Sequence, residues 1–314
     1  MSDLPRISVI IVTYRSRSLI DRCLAPFINR PDLEIIVWDN ASGDGIGDHV
    51  RATYPDVRMI ESPDNLGFAR GNNRAIERCS GAYVLLLNPD AFIDDAATVD
   101  RLADHLDACA EVAACGPQLL NADGSHQVGD AGWRIGLASV FVHCFLLQRL
   151  LRSMRGLYLT NAGLLDRDQV DVDWVCGACM MVRRSAIEDV GGMDESVFMY
   201  GEDIEWGARM RAAGWLIRYL PRLTVLHLQG ATQRSEHQLF SSTKWMEDVA
   251  SRYAADGGAF GYAALKATLF AGYGARAFVL STAGLVLRRP AMREKGRIMA
   301  AYALHTFKLP RVER

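Results

Sequence analysis

Two acidic points in this 314-residue chain could share one reaction. Residues 197–205 read VFMYGEDIE, so Glu202, Asp203 and Glu205 stand just ahead of a helical pattern. Residues 85–90 read LLLNPD, an apolar run that stops at Asn88-Pro89-Asp90. A carboxylate with an ordinary pKa of about 3.9 is ionised at neutral pH. It can therefore take the proton of a hydroxyl as that hydroxyl attacks, and Asp203 is the candidate for this work. Acids in a first helical turn also stabilise the helix dipole, and Glu202 and Glu205 need do no more than that. Hard divalent cations such as Mg²⁺ take one or two carboxylates together with phosphate oxygens. Asp90, in a stiff turn at the end of a buried strand, suits such an ion, with Asn88 a neutral donor or acceptor beside it. The same turn would also serve as a helix start, since Asp94 and Asp95 follow. The two points are expected to flank one centre, with Asp90 serving a metal-bound diphosphate and Asp203 an acceptor hydroxyl.

Other residues could join that centre. His227 ends the apolar run TVLHLQG. A lone histidine there is commonly a satisfied core or turn residue, and it becomes a metal ligand only if it lies near Asp90. Asp39 closes EIIVWD, where a carboxylate could read a base or ribose. Asn65-Leu66-Gly67-Phe68 and Gly71 would let backbone approach a ligand closely. Cys176 and Cys179 have C-x-x-C spacing with no second pair nearby, and they read as core thiols.

These residues need strands and helices to hold them. Short β-branched or apolar runs at 7–13, 34–39, 57–61, 83–88 and 112–119 read as buried strands. Helical patterns lie between them, at 19–28, 46–53, 65–79 and 96–109. Such alternation implies crossover units and a mostly parallel α/β sheet covered on both faces. Ligands sit beyond the carboxyl ends of such strands. Thr13, Asp39 and Asp90 all lie at such ends. Residues 174–182 read as one more buried strand, 202–213 as a helix stopped by Gly214, and 216–220 and 224–228 as strands parted by Pro221. Residues 124–173 are the least regular and read as an insertion shaping the partner side of the pocket.

Composition is that of a globular chain, half hydrophobic and 23% charged. A net charge of −2 gives no support for a nucleic-acid partner. Seven scattered cysteines suggest reduced thiols of a cytosolic kind rather than a disulfide framework. No signal peptide is evident in MSDLPRISVIIVTY. The longest uncharged apolar stretches, 135–147 and 277–287, fall short of the roughly 20 residues a spanning helix needs, so no transmembrane segment is expected. Residues 260–287 are apolar, and a basic tail follows, from Arg288 to Arg314. That composition suits a helix lying on an anionic membrane surface. It equally suits a helical appendage that packs on the domain or forms an oligomer.

The ordered stretches 9–14 (VIIVTY), 38–44 (WDNASGD), 65–72 (NLGFARGN), 85–90 (LLLNPD), 174–178 (WVCGA), 191–194 (GGMD) and 198–209 (FMYGEDIEWGAR) resemble the inverting family 2 glycosyltransferases of GT-A fold. The likeness is greatest to their rhamnosyltransferase-like branch. It spans residues 7 to about 230 and leaves the chain beyond about 238 uncovered. It implies a catalytic domain over 1–238, with a nucleotide half to about 120 and an acceptor half from about 121, and a helical region over 239–314. It further implies that Thr13, Tyr14, Asp39, Asn65, Gly67, Asn72 and Asn88 serve the nucleotide-sugar. Asp90 would take the last place of a D-x-D-type metal motif, with His227 a second metal-associated residue for Mg²⁺ or Mn²⁺. Asp203 would be the general base, and Trp174, Gly177 and Glu202 would lie on the acceptor side. Asn88-Pro89-Asp90 lacks the first acid of D-x-D, and Glu205 stands where many relatives carry Asp.

The expected reaction is transfer of rhamnose or a hexose, with inversion, from a dTDP- or UDP-sugar. The acceptor would be a hydroxyl of a cell-surface glycan on a lipid carrier. A Rossmann dehydrogenase would need G-x-G-x-x-G after the first strand, where the chain has Thr13-Tyr14-Arg15-Ser16. The glycine-rich phosphate loop of a nucleotidyltransferase is also missing there. A non-catalytic nucleotide-sugar-binding scaffold is the alternative from another class, and the presence of both Asp90 and Asp203 weighs against it.

Overall fold

The computed structural model describes residues 4–151, 153–196, 201–228 and 244–309. Residues 197–200 of the acidic motif and the end of the basic tail lie outside the described residues. The strands are β1 (Ile7–Thr13), β2 (Leu33–Asn40), β3 (Arg58–Ser62), β4 (Tyr83–Leu87), β5 (Ala91–Phe92), β6 (Val112–Leu120), β7 (Ala131–Gly132), β8 (Val170–Val172), β9 (Trp174–Val175), β10 (Cys179–Arg183) and β11 (Leu216–His227). The helices are α1 (Ile20–Leu24), α2 (Ile46–Thr53), α3 (Gly67–Ile76), α4 (Ala97–Ala108), α5 (Leu137–Cys144), α6 (Leu147–Leu150), α7 (Ala162–Leu165), α8 (Arg184–Val190), α9 (Glu202–Ala212), α10 (Lys244–Val286) and α11 (Pro290–His305).

The chain divides into two units, Met1–Gly132 with Ala162–Arg234, and Trp133–Asn161 with Ser235–Arg314. The later cut, at 234/235, falls beside the expected 238, while residues 133–161 of the 124–173 insertion cluster with the C-terminal helices. Residues 124–132 stay with the first unit.

In the first unit one sheet runs β3-β2-β1-β4-β10-β6-β11-β5, with β8 also pairing with β11. β3, β2, β1 and β4 are parallel, as the alternating pattern predicts. Beyond β4 the sheet is mixed: β10 runs antiparallel between β4 and β6, and β5 and β8 run antiparallel to β11. Ile7, Val9 and Ile11 of β1 and Ile35 and Val37 of β2, with Leu85 and Leu87, share one core with residues of α1 and α2. On α4, Val99, Leu102, Ala103 and Leu106 bury the i, i+3, i+4, i+7 stripe.

Two expected strand boundaries change. Residues 174–182 form β9 and β10, parted by a turn at 176–178. The apolar run could not reveal this break, because its turn residues (Cys176, Gly177, Ala178) are not polar. Pro221 does not end a strand. β11 passes through it with a register shift between Leu220 and Thr224, an irregularity that tolerates a residue without N–H.

In the second unit, α5 and the α10–α11 hairpin share a core that includes Val140, Cys144, Leu265, Leu269 and Tyr273. Gly258, at φ +60°, interrupts α10. From Gly258 to Val286 the helix has 29 residues and a mean hydropathy of 1.3 over its apolar window, long and apolar enough to cross a membrane. This corrects the expectation on length. That expectation counted only uncharged runs, and Lys266 and Arg276 interrupt the apolar run without ending the helix.

Candidate active site

The β1–β2 register pairs Thr13 with Asp39 at the carboxyl ends of both strands. Thr13 donates its hydroxyl to Asp39 Oδ1 at 2.9 Å. Ser42 donates its backbone N–H to Asp39 Oδ2 at 3.0 Å and its hydroxyl to Oδ1. The Ser42 hydroxyl also accepts the Arg15 N–H at 2.8 Å. Asp39 is thus fixed by β1 and by the turn after β2, and Tyr14, the residue after Thr13, is exposed. Ser42 was not singled out from the sequence, although its place three residues after Asp39 in an Asx-type turn is a readable signal.

The glycine turn supports this corner from below. The Asn65 side chain accepts the Gly67 N–H at 3.0 Å, and the Asn40 amide donates to the Gly67 carbonyl at 3.0 Å. A Cβ on Gly71 would lie 2.9 Å from Val12 and 3.0 Å from Asn40, so only glycine lets α3 approach the sheet so closely. Asn72 is buried and donates to the Phe68 carbonyl at 3.0 Å.

Asp90 sits past β4 with 4% exposure, and His227, at the end of β11, has 7%. The short β5 brings them together by pairing Ala91 with His227. His227 Nε2 lies 3.3 Å from Asp90 Oδ1. On the ring's other side, Nδ1 is 2.7 Å from Gln127 Oε1. The Gln127 amide nitrogen donates at 3.1 Å both to Asn121 Oδ1 and to the His227 carbonyl. Its Oε1 can only accept, so Nδ1 carries the proton. With Nδ1–H turned to Gln127, Nε2 faces the Asp90 carboxylate, and either a proton on Nε2 or a shared cation joins the two. A buried carboxylate oxygen and an imidazole nitrogen this close are a donor pair that fits a divalent ion. No group of three or more His, Cys, Asp or Glu suited to a metal occurs among the described residues. Two protein ligands, with the rest from diphosphate and water, match Mg²⁺ or Mn²⁺ better than a closed zinc site. Gln127 and Asn121 were missed by sequence reasoning. They lie about a hundred residues from His227, in a stretch with no local signal.

The acceptor-side candidates are joined to the same turn. Asn88 donates its N–H to the Ala178 carbonyl at 2.9 Å. Next to Ala178, Gly177 donates its N–H to Asp203 Oδ2 at 3.2 Å. Asp203 Oδ1 accepts the Ile204 N–H at 2.8 Å. Asp203 is the second residue of α9, behind Gly201 at φ +90°. Two backbone donors and the helix N-terminus therefore face its carboxylate. A side chain on Gly177 would press on the Phe68 ring at 3.1 Å. Glu202 and Trp174 are both buried, and Gly207 lets α9 lie against Trp174. Glu205 instead holds Arg209 in a two-pronged pair at 2.7 and 2.9 Å. Arg209 in turn donates to the Val190 and Gly192 carbonyls, holding the GGMD turn.

The Cys176 thiol is pushed well above its usual range by burial, with the Asp203 charge adding to it. Burial alone pushes Cys179 up to about 12. None of the seven cysteines is bonded to another. Cys179 is a buried core thiol and Cys176 a part-buried one packed against the same core, in keeping with the expected reading of the pair.

Residues 8–191 match Glycosyl transferase family 2. The chain belongs to glycosyl transferase family 2. It is a glycosyltransferase of GT-A fold. A second match, to Glycosyl transferase family 21, covers residues 132–287. The chain is 32% identical over 233 residues to an N-acetylglucosaminyl-diphospho-decaprenol L-rhamnosyltransferase of Mycobacterium tuberculosis, covering 70% of this chain and 75% of that one. In structure it is similar to a mannosyltransferase of Pyrobaculum calidifontis solved with GDP-Man and Mn²⁺, with TM-score 0.61 and 19% identity over 98% of this chain and 88% of that one. It is also similar to GalNAc-T7 solved with UDP, GalNAc and Mn²⁺, with TM-score 0.58 and 14% identity over 83% of this chain and 53% of that one.

Proposed function

We propose that the family 2 chain transfers rhamnose or a hexose, with inversion, from a dTDP- or UDP-sugar to a hydroxyl of a lipid-linked cell-envelope glycan. The observation that carries the reading is the hydrogen-bond path from Asn88 to Ala178 and from Gly177 to Asp203. It ties the turn that bears Asp90 to the residue that faces the acceptor. Rhamnose and a lipid-diphosphate acceptor fit the name of the M. tuberculosis relative, and both come from that likeness. Nucleotide-sugars are cytoplasmic metabolites, so a catalytic unit on the cytoplasmic side of the membrane suits this reading.

In this mechanism Thr13 and Ser42 hold Asp39 so that its carboxylate accepts from the base. Tyr14 lines the same corner, and Asn65, Gly67 and Asn72 stiffen it. Asp90 and His227 would hold Mg²⁺ or Mn²⁺, which supplies positive charge to the leaving diphosphate. Gln127 keeps the proton on His227 Nδ1 and so leaves Nε2 free to ligate. Asn88 fixes the turn between the two sides. Asp203 takes the acceptor proton as the hydroxyl attacks, while the Gly177 N–H holds the carboxylate in place. Trp174 and Glu202 build the wall behind it.

The test is a donor panel. The purified chain, with Mg²⁺ or Mn²⁺, is incubated with UDP-, dTDP- and GDP-sugars, and thermal stabilisation and slow donor hydrolysis are scored for wild type and Asp90→Ala. Metal-dependent stabilisation by one nucleotide class, absent in Asp90→Ala, is expected. A folded wild type that responds to no donor would support the scaffold alternative instead.

A further inference from the structure

The far end of the α10–α11 hairpin carries an apolar stripe that its own fold leaves bare. Phe278, Val279, Leu285 and Val286 fall at i, i+1, i+7 and i+8 of a helix, on one face. Their exposures are 72%, 61%, 65% and 73%, and Leu287 follows at 57%. The inner face of the hairpin is already closed. A Cβ on Gly284 would lie 2.8 Å from the Arg293 backbone, and one on Gly296 would lie 2.9 Å from the Ser281 backbone. The helices therefore touch through glycines, and α11 cannot swing over to cover the outer stripe. Arg288 at φ +51° and the Arg289 N–H to Gly284 carbonyl bond of 2.9 Å make the turn abrupt.

Charge gathers at the same end. Between 278 and 297 the cations are Arg288, Arg289, Arg293, Lys295 and Arg297, all exposed, and the only acid is Glu294. Glu294 pairs with Arg297 at 3.4 Å. The whole chain carries a net charge of −2, so this excess is local. Exposed apolar side chains beside a basic cluster are the two signals that together hold a protein on an anionic bilayer. A symmetric second copy would bring the two basic clusters face to face, which opposes self-association here.

We infer that the hairpin tip, with Phe278, Val279, Leu285, Val286 and Leu287 inserted and the arginines at headgroup level, docks on a bilayer surface of anionic phospholipid. This inference stands apart from the transferase reading, because its readout is binding and not transfer. The full-length protein is sedimented with vesicles of phosphatidylcholine, and separately with vesicles of phosphatidylcholine and phosphatidylglycerol. Binding to the anionic vesicles is expected, with little to the neutral ones, and it falls as salt rises. Arg288→Gln with Arg289→Gln should weaken binding by roughly fivefold per charge. Leu285→Ser with Val286→Ser should weaken it by about tenfold or more. Both variants should keep the wild-type melting profile, since the side chains are exposed. Folded wild type left in the supernatant at low salt would overturn the inference. So would variants that bind vesicles like wild type but turn a dimer into a monomer in light scattering. A protein soluble only in detergent would overturn it too, because Gly258–Val286 would then span the bilayer.

Discussion

The two sides of the candidate site are built in different ways. The proposed nucleotide corner uses neighbours in strand register: Thr13 beside Asp39, and Ser42 three residues on. The proposed metal and acceptor side joins residues far apart in the chain: Gln127 with His227, Asn88 with Ala178, and Gly177 with Asp203. The first is fixed by a parallel sheet whose core forms around it. The second depends on a two-residue strand, a turn inside an apolar run and the first turn of α9. The nucleotide corner should therefore tolerate single losses, and the other side should not.

Substitutions on each side test this difference. The largest effect is expected from Asp203→Asn, which removes the proton acceptor and keeps the shape. Transfer should fall by about a hundred- to ten-thousandfold, with donor stabilisation unchanged; equal losses in both would place Asp203 on the donor side. Next is Gln127→Leu, expected to lower Mn²⁺ affinity by about 10- to 100-fold, read by Mn²⁺ paramagnetic resonance without any turnover. Gln127→Glu keeps an acceptor for Nδ1–H and should retain most of the affinity. Leu and Glu variants that bind Mn²⁺ alike would remove the tautomer role.

Thr13→Val removes one of three donors to Asp39 and should raise the donor KM by about fivefold, the worth of a single hydrogen bond of about 1 kcal/mol. A loss as large as that of Gln127→Leu would erase the difference between the two sides. The smallest effect is on thiol reactivity. With the Cys176 thiol pushed well above its usual range and Cys179 at about 12, neither is a thiolate at pH 8. Alkylation, followed by mass spectrometry, should mark Cys79 and Cys109 first and leave the C-x-x-C pair unmarked until the protein unfolds.

Much of the nucleotide corner was legible because its signals are local. β-branched runs end in polar residues, and parallel strands carry those ends to one edge. Asp90 and His227 were paired through the family resemblance, and not by any local signal. Their meeting depends on β5, two residues long, which has no periodicity to read. Gln127 was invisible for a similar reason, since its partner lies a hundred residues away and its own surroundings are irregular. The break at 176–178 hid inside an apolar run, although it gives Gly177 the free N–H that Asp203 accepts. Pro221 misled in the opposite direction, because a sheet irregularity accommodates what an ordinary strand would not. The placement of 133–161 with the C-terminal helices came from packing around Cys144 and Tyr273, which composition does not announce.

The proposed reaction is a direct displacement, with Asp203 as base opposite a leaving diphosphate. The most direct test needs no acceptor. With the donor that stabilises the protein, proton NMR follows the first sugar released by slow hydrolysis, before its anomers interconvert. Release of the anomer opposite to that of the donor is predicted, at a rate that falls in Asp203→Asn. Release of the donor's own anomer would contradict single displacement and the role given to Asp203.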